Sequence, residues 1–217
     1  MIDESLVAEE RDGSPLWVWA GLAGVLIAVA LAGVVLWRLW PSTPGDGSPE
    51  AGFARDMSVH HAQAVELALI LRDKTDDAAL RTLATDIMLT QQAQIGRMGG
   101  WLALWNLRPT GAEPPMAWMG HPVDGLMPGM ATAEQISALR ELPVEEAEIE
   151  FLRLMIAHHQ GGVHMAEAVV ERTEQADVLR LANSMIITQQ YEIELMEELL
   201  RERGAAVSPS RLAPGAR

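Results

Sequence analysis

The sequence contains no cysteine. This excludes disulfides, thiolate metal sites, iron–sulfur clusters and cysteine nucleophiles together. Aromatic residues are scarce, at 5%, with two Phe and one Tyr against seven Trp. Positive charge is also short. Sixteen Lys and Arg stand against 30 Asp and Glu, for a formal net charge of −14 over 217 residues. Phosphate attraction dominates nucleic-acid affinity, so a chain this acidic is not read as a nucleic-acid binder. With thiols absent, the soft or borderline metal ligands that remain are 12 Met and 6 His.

Charge of either sign is missing between Asp12 and Arg38. Leu16 to Trp37, LWVWAGLAGVLIAVALAGVVLW, is apolar or small throughout. As a helix rising about 1.5 Å per residue it spans roughly 33 Å, enough to cross a bilayer core. Trp17 and Trp19 at one end, with Trp37 and Trp40 at the other, match interfacial aromatic belts. The expectation is a single-pass membrane anchor over 16–40, behind an acidic tail at 1–15. An uncleaved anchor fits better than a cleaved signal peptide: the leading region is acidic, the run is long, and no small-residue cleavage site follows. Arg11 and Arg38 balance across it, so charge does not set the orientation. Residues 41–50, PSTPGDGSPE, read as a linker, and 204–217 as a disordered tail. The domain lies between them, at 51–203.

Within that domain, residues 53–102 align with 151–200 at a constant offset of 98, without a gap. Seventeen of the 50 positions are identical, among them His60/His158, His61/His159, Met57/Met155, Gln91/Gln189 and Met98/Met196. Each copy reads as two helices. Phe53, Met57, His60, Ala64, Leu67 and Leu71 share one stripe at helical spacing; Leu80, Leu83, Ile87, Gln91, Met98 and Leu102 share another. A break at Lys74-Thr75-Asp76-Asp77 separates them. The second copy repeats this with Phe151, Met155, His158, Gly162, Met165 and Val169, then Val178, Leu181, Met185, Gln189, Met196 and Leu200. No strand alternation is visible. Two repeated helical hairpins with apolar stripes predict an all-α, four-helix bundle. The middle segment 103–145 is interrupted by Pro, and a short helix is expected over Thr132–Glu141, where Thr132 and Gln135 have capping-box spacing.

His60 and His158 interrupt apolar stripes, and polar groups there need partners. Gln91 and Gln189 sit at a comparable level on the neighbouring helices. Two readings follow. In one, each Gln satisfies a buried His and the layer is structural. In the other, two copies of Met-x-x-His-His bring up to four imidazoles and two thioethers toward a metal, since Met57 lies three and four residues before His60 and His61. Hairpins running the same way put the copies at one level; a reversed second hairpin separates them by roughly 10 Å. His164 falls outside the stripe and reads as a surface residue with secondary or metal-uptake roles behind it. Met116, Met119, His121, Met127 and Met130 crowd the middle segment, either as apolar plugs or as soft-metal capture groups. A di-iron centre is disfavoured, because Met57, Ser58, Met155, Ile156 and Gly161 occupy the positions where Glu-x-x-His motifs need Glu. No GxSxG elbow, phosphate loop or HExxH points to catalysis.

The stretches FARDMSVHHAQAVELA and FLRLMIAHHQGGVHMAEAV resemble the bacterial domain-of-unknown-function 305 family, as do the element GLMPGM and the pattern Q-x-x-E/Q-I-x-x-M, here QQAQIGRM and QQYEIELM. The resemblance covers about residues 50–203. It implies a ferritin-like four-helix bundle, often exported or membrane-anchored, with some members associated with copper binding and tolerance. Carried over by position, it makes Met57, His60, His61, Met155, His158, His159 and Met165 metal-site candidates. Departures are His164, where the family often has Glu, and Glu148-Ile149-Glu150-Phe151, where it usually has Phe-Asp. The combined expectation is a cell-membrane protein whose bundle lies outside the cytoplasm and binds copper, as Cu(I), to buffer it or hand it over.

Overall fold

In the computed structural model, residues 16–39 and 43–206 are described. They carry six α-helices, one 3-10 turn and no strand. The chain divides into two units, residues 1–43 and 44–217. The first holds α1, Leu16–Leu39, whose apolar stretch Trp17–Val35 has a mean hydropathy of 2.4 and no buried residue. Trp37 falls in a stretch whose side chains are not described, and Trp40, the tail 1–15 and residues 207–217 lie outside the described residues.

The second unit is the bundle: α2 (Pro49–Lys74), α3 (Ala78–Leu104), α4 (Ala133–Glu141), α5 (Val144–Val170) and α6 (Ala176–Glu202). Helix α2 starts two residues earlier than the linker reading implied. Ser48 caps it, its side chain accepting from the Ala51 amide, and Pro49 fills the first turn, where a missing N–H costs nothing. At the expected break Asp77 caps α3 through the Ala79 and Leu80 amides. Thr132 and Gln135 form the reciprocal capping box of α4. The four hydrophobic stripes all face inward: every residue named in them is buried.

The relative direction of the hairpins follows from two hydrogen bonds. Thr75, just past the end of α2, donates from Oγ1 to Glu148 near the start of α5, at 2.5 Å. Thr173, past the end of α5, donates to Glu50 at the start of α2, at 2.6 Å. These are the same bond made twice, between positions 98 apart, and they require α2 and α5 to run antiparallel. The second hairpin is therefore reversed. The expected separation of the His motifs does not occur, however: the His60 and His158 ring centroids are 3.7 Å apart. His60 lies near the middle of α2 and His158 near the middle of α5, and antiparallel helices crossing at their midpoints keep such residues together.

The connection between hairpins must then travel the length of α2, and α2 holds it at each step. Arg55 donates to the Arg108 carbonyl at 3.0 and 3.1 Å. The Asp56 carboxylate accepts from the Met116 amide and the Trp118 indole at 2.7 and 2.8 Å. Gln63 pairs with both backbone groups of Ala131. Glu66 meets Arg140 on α4 at 2.6 Å.

The core is in two parts. One joins the C-terminal half of α2 and N-terminal half of α3 to the opposite halves of α5 and α6, around Leu71, Leu80, Phe151, Met155 and Met196. The other joins the remaining halves around Phe53, Met57, Met98, Met165 and Met185, and the connection adds Met116, Met119 and Met127 to it. A polar layer at the level of His60 and His158 divides them.

Candidate metal centre

His60, His61, His158 and His159 are all 0% exposed. Each ring uses Nε2 in the same way. His158 Nε2 donates to the His60 backbone carbonyl at 2.9 Å, and His60 Nε2 to the Pro128 carbonyl at 3.3 Å. His61 Nε2 donates to Gln94 Oε1 at 2.7 Å and His159 Nε2 to the Glu192 carboxylate at 2.6 Å. An oxygen acceptor at Nε2 fixes the tautomer, which places the lone pair of a neutral ring on Nδ1. None of the four Nδ1 atoms has a hydrogen-bond partner, and all are buried.

Burial keeps three of these rings, His60, His61 and His158, neutral. Burial pushes His60 and His61 down to about 3, against the ordinary imidazole value of 6.5. His158 is also driven well below that value, first by burial and then by the three neighbouring imidazoles. A neutral ring with its second nitrogen hydrogen-bonded to an oxygen is the form in which histidine ligates a metal. The donor set therefore fits a metal that prefers imidazole. Among the described residues, no three His, Asp or Glu side chains already stand as a metal shell.

The other expected residues divide by position. Met57, Met155 and Met165 are fully buried, Met57 and Met165 on one side of the layer and Met155 on the other. Met116, Met119 and Met127 are buried on the Met57 side, and Met130 is half-buried against it. His121 and His164 are exposed and do not join the layer. Gln91 and Gln189 are buried, but neither satisfies a histidine: both polar atoms of the Gln91 amide and Oε1 of Gln189 are without partners. Gln94 and Glu192, one turn further along, make those bonds instead. Sequence reasoning missed them, although they occupy the E/Q place of the Q-x-x-E/Q pattern. It also missed Pro128. Its carbonyl reaches His60 because residue 161 is glycine: a Cβ there would land on that oxygen and lie 3.3 Å from His60 Nε2.

Residues 50–200 match the family model described as Domain of unknown function (DUF305). The chain belongs to the DUF305 family. A DUF305 protein from Streptomyces coelicolor is 50% identical with a TM-score of 0.73, over 76% of this chain and 99% of that one. A DUF305 fragment from Deinococcus radiodurans is 35% identical with a TM-score of 0.62, over 75% and 99%. The Cu(I)-bound form of CopM is 26% identical with a TM-score of 0.53, over 71% and 96%. Protein L153 of Acanthamoeba polyphaga mimivirus is 39% identical over 54 residues, which span 36% of that curated relative. The DUF305 match covers both histidine pairs and the crossing connection.

Proposed function

We propose that this DUF305 protein holds copper, as Cu(I), inside its bundle and stores or hands over the ion rather than transforming a substrate. The observation that carries the reading is the set of four buried Nδ1 lone pairs without donors. His60, His61, His158 and His159 would supply the imidazoles, and Met57, Met155 and Met165 the thioethers that favour Cu(I). The Gln91 amide and Gln189 Oε1 add further buried, unpartnered polar atoms. Met116, Met119, Met127 and Met130, on the connection, form a soft-ligand approach from one side, with His121 and His164 at the surface for first capture. CopM, whose solved forms include Cu(I)-, Cu(II)- and Ag-bound states, supports the choice of metal.

In this reading α1 anchors the chain in the cell membrane as a single span, with the bundle outside the cytoplasm. Its length, hydropathy and exposure support an anchor. The similarity to the Streptomyces coelicolor protein, described as a candidate secreted protein, supports a bundle outside the cytoplasm.

A metal-free structural layer is the second reading, and the absence of a ready three-residue shell among the described residues favours it. Anaerobic Cu(I) titration of the full chain in detergent, against a competing chelator, separates the two. The wild type is expected to bind Cu(I) and to melt at a higher temperature with it, since a ligand held only by the folded state stabilises that state. The His60→Ala/His158→Ala variant is expected to lose both effects. A folded wild type that neither binds Cu(I) nor shifts its melting temperature overturns the copper reading.

A further inference from the structure

The two halves of the histidine layer are not equivalent. His61 and His159 hold matching places, as do their Nε2 partners, yet one partner is the Gln94 amide and the other the Glu192 carboxylate. Glu192 is buried, at 9% exposed. Among the described residues it is the one carboxylate or cationic group hydrogen-bonded to any of the four rings. At the matching place Gln94 offers an amide, so one carboxylate side chain touches the four rings, in a region walled by two apolar clusters.

We propose that this one-carboxylate arrangement makes the layer a site for a monovalent cation, with Glu192 as the charge-balancing residue and Gln94 as the position that withholds a second charge. The inference rests on the copper reading above and specifies it. A +1 ion held through His159 would be matched one for one by the carboxylate that touches the far side of the same ring. A +2 ion leaves an uncompensated positive charge in a poorly solvated interior. Glu192 acts through His159, as outer carboxylates do when they orient and polarise a metal-bound imidazole.

Coulomb energy scales with the charge of the ion, so changing the carboxylate changes log affinity twice as much for a divalent ion as for a monovalent one. This ratio distinguishes charge balance from simple loosening, which weakens both ions alike. Ag(I), which matches Cu(I) in charge and softness and does not change oxidation state here, and Cu(II) are the probes, titrated into the full chain in detergent. Glu192→Gln copies the amide pairing already present at Gln94–His61, so the fold has a precedent for it. It is expected to lower Ag(I) affinity about tenfold and Cu(II) affinity about a hundredfold. Gln94→Glu is expected to raise Cu(II) affinity about tenfold more than Ag(I) affinity. Helical content and melting temperature of the metal-free proteins establish that each variant is folded; if Gln94→Glu is not, Glu192→Gln decides alone. Equal changes for the two ions, or no change, overturn this proposal and leave the copper reading standing. Failure of the wild type to bind either ion overturns the copper reading itself.

Discussion

His158 donates from Nε2 to the backbone carbonyl of His60, its counterpart 98 positions earlier, at 2.9 Å, while the two rings lie tilted at 36° with centroids 3.7 Å apart. The reciprocal bond is missing, because His60 turns its own Nε2 to Pro128. Three consequences can be measured.

The first concerns pH. His60 and His61 titrate at about 3 in the folded protein and His158 well below its ordinary 6.5, all because burial opposes the charged ring. Above pH 6.5 these rings are neutral in the folded and unfolded chain alike and contribute no pH dependence. Between 6.5 and 3 the unfolded chain takes up protons that the folded one refuses, so stability falls as pH falls. Each ring contributes a slope of about 1 kcal/mol per pH unit. Denaturant midpoints of the metal-free protein, followed from about pH 7.5 to about pH 4, are expected to drop steeply, and His158→Gln to flatten the decline. A level profile contradicts neutral burial of these rings.

The second concerns the contact between connection and layer. Gly161→Ala places a methyl group against the Pro128 carbonyl, where both sides are backbone and cannot swing away. It is expected to cost about 1–3 kcal/mol and to speed proteolysis of the connection. Gly99→Ala, in α3 with open space around it, is the control. It is expected to stabilise by up to about 1 kcal/mol through helix propensity. Equal effects of the two substitutions would show that the close approach at 161 is not tight in solution.

The third concerns the bonds that set the hairpins antiparallel. Thr75→Val and Thr173→Val each remove a buried hydroxyl that donates to a carboxylate and accepts from the backbone amide two residues on. Each is expected to cost about 1–3 kcal/mol in urea unfolding. Because the sites lie at opposite ends of α2, the double variant is expected to show the sum within about 0.5 kcal/mol. A smaller combined loss would mean that the two ends do not hold the pairing independently.

The inward faces of the helices and the cap of α4 were readable from sequence because each is local. The stripe through Phe53, Met57 and His60 needs only helical periodicity, and Thr132 with Gln135 needs only spacing three. What depended on packing was not readable. The direction of the second hairpin is set by Thr75 meeting Glu148, residues whose proximity no local pattern announces. The histidine partners were placed one turn early, at Gln91 and Gln189, because level along the axis was counted while rotation about it was not. Pro128 reached the layer through a glycine, and the lack of a side chain leaves no hydrophobic signal to read.

Were the two hairpins separate, identical chains, every substitution would arrive in duplicate. The pair at His61 and the pair at His159 would then carry the same partner, and no strap could choose one ring over the other. Joining them end to end removes that constraint. A carboxylate can stand at 192 without one at 94, and a single carbonyl can lean on His60 alone. The inequality at the centre of this bundle is a property that a dimer of hairpins could not encode.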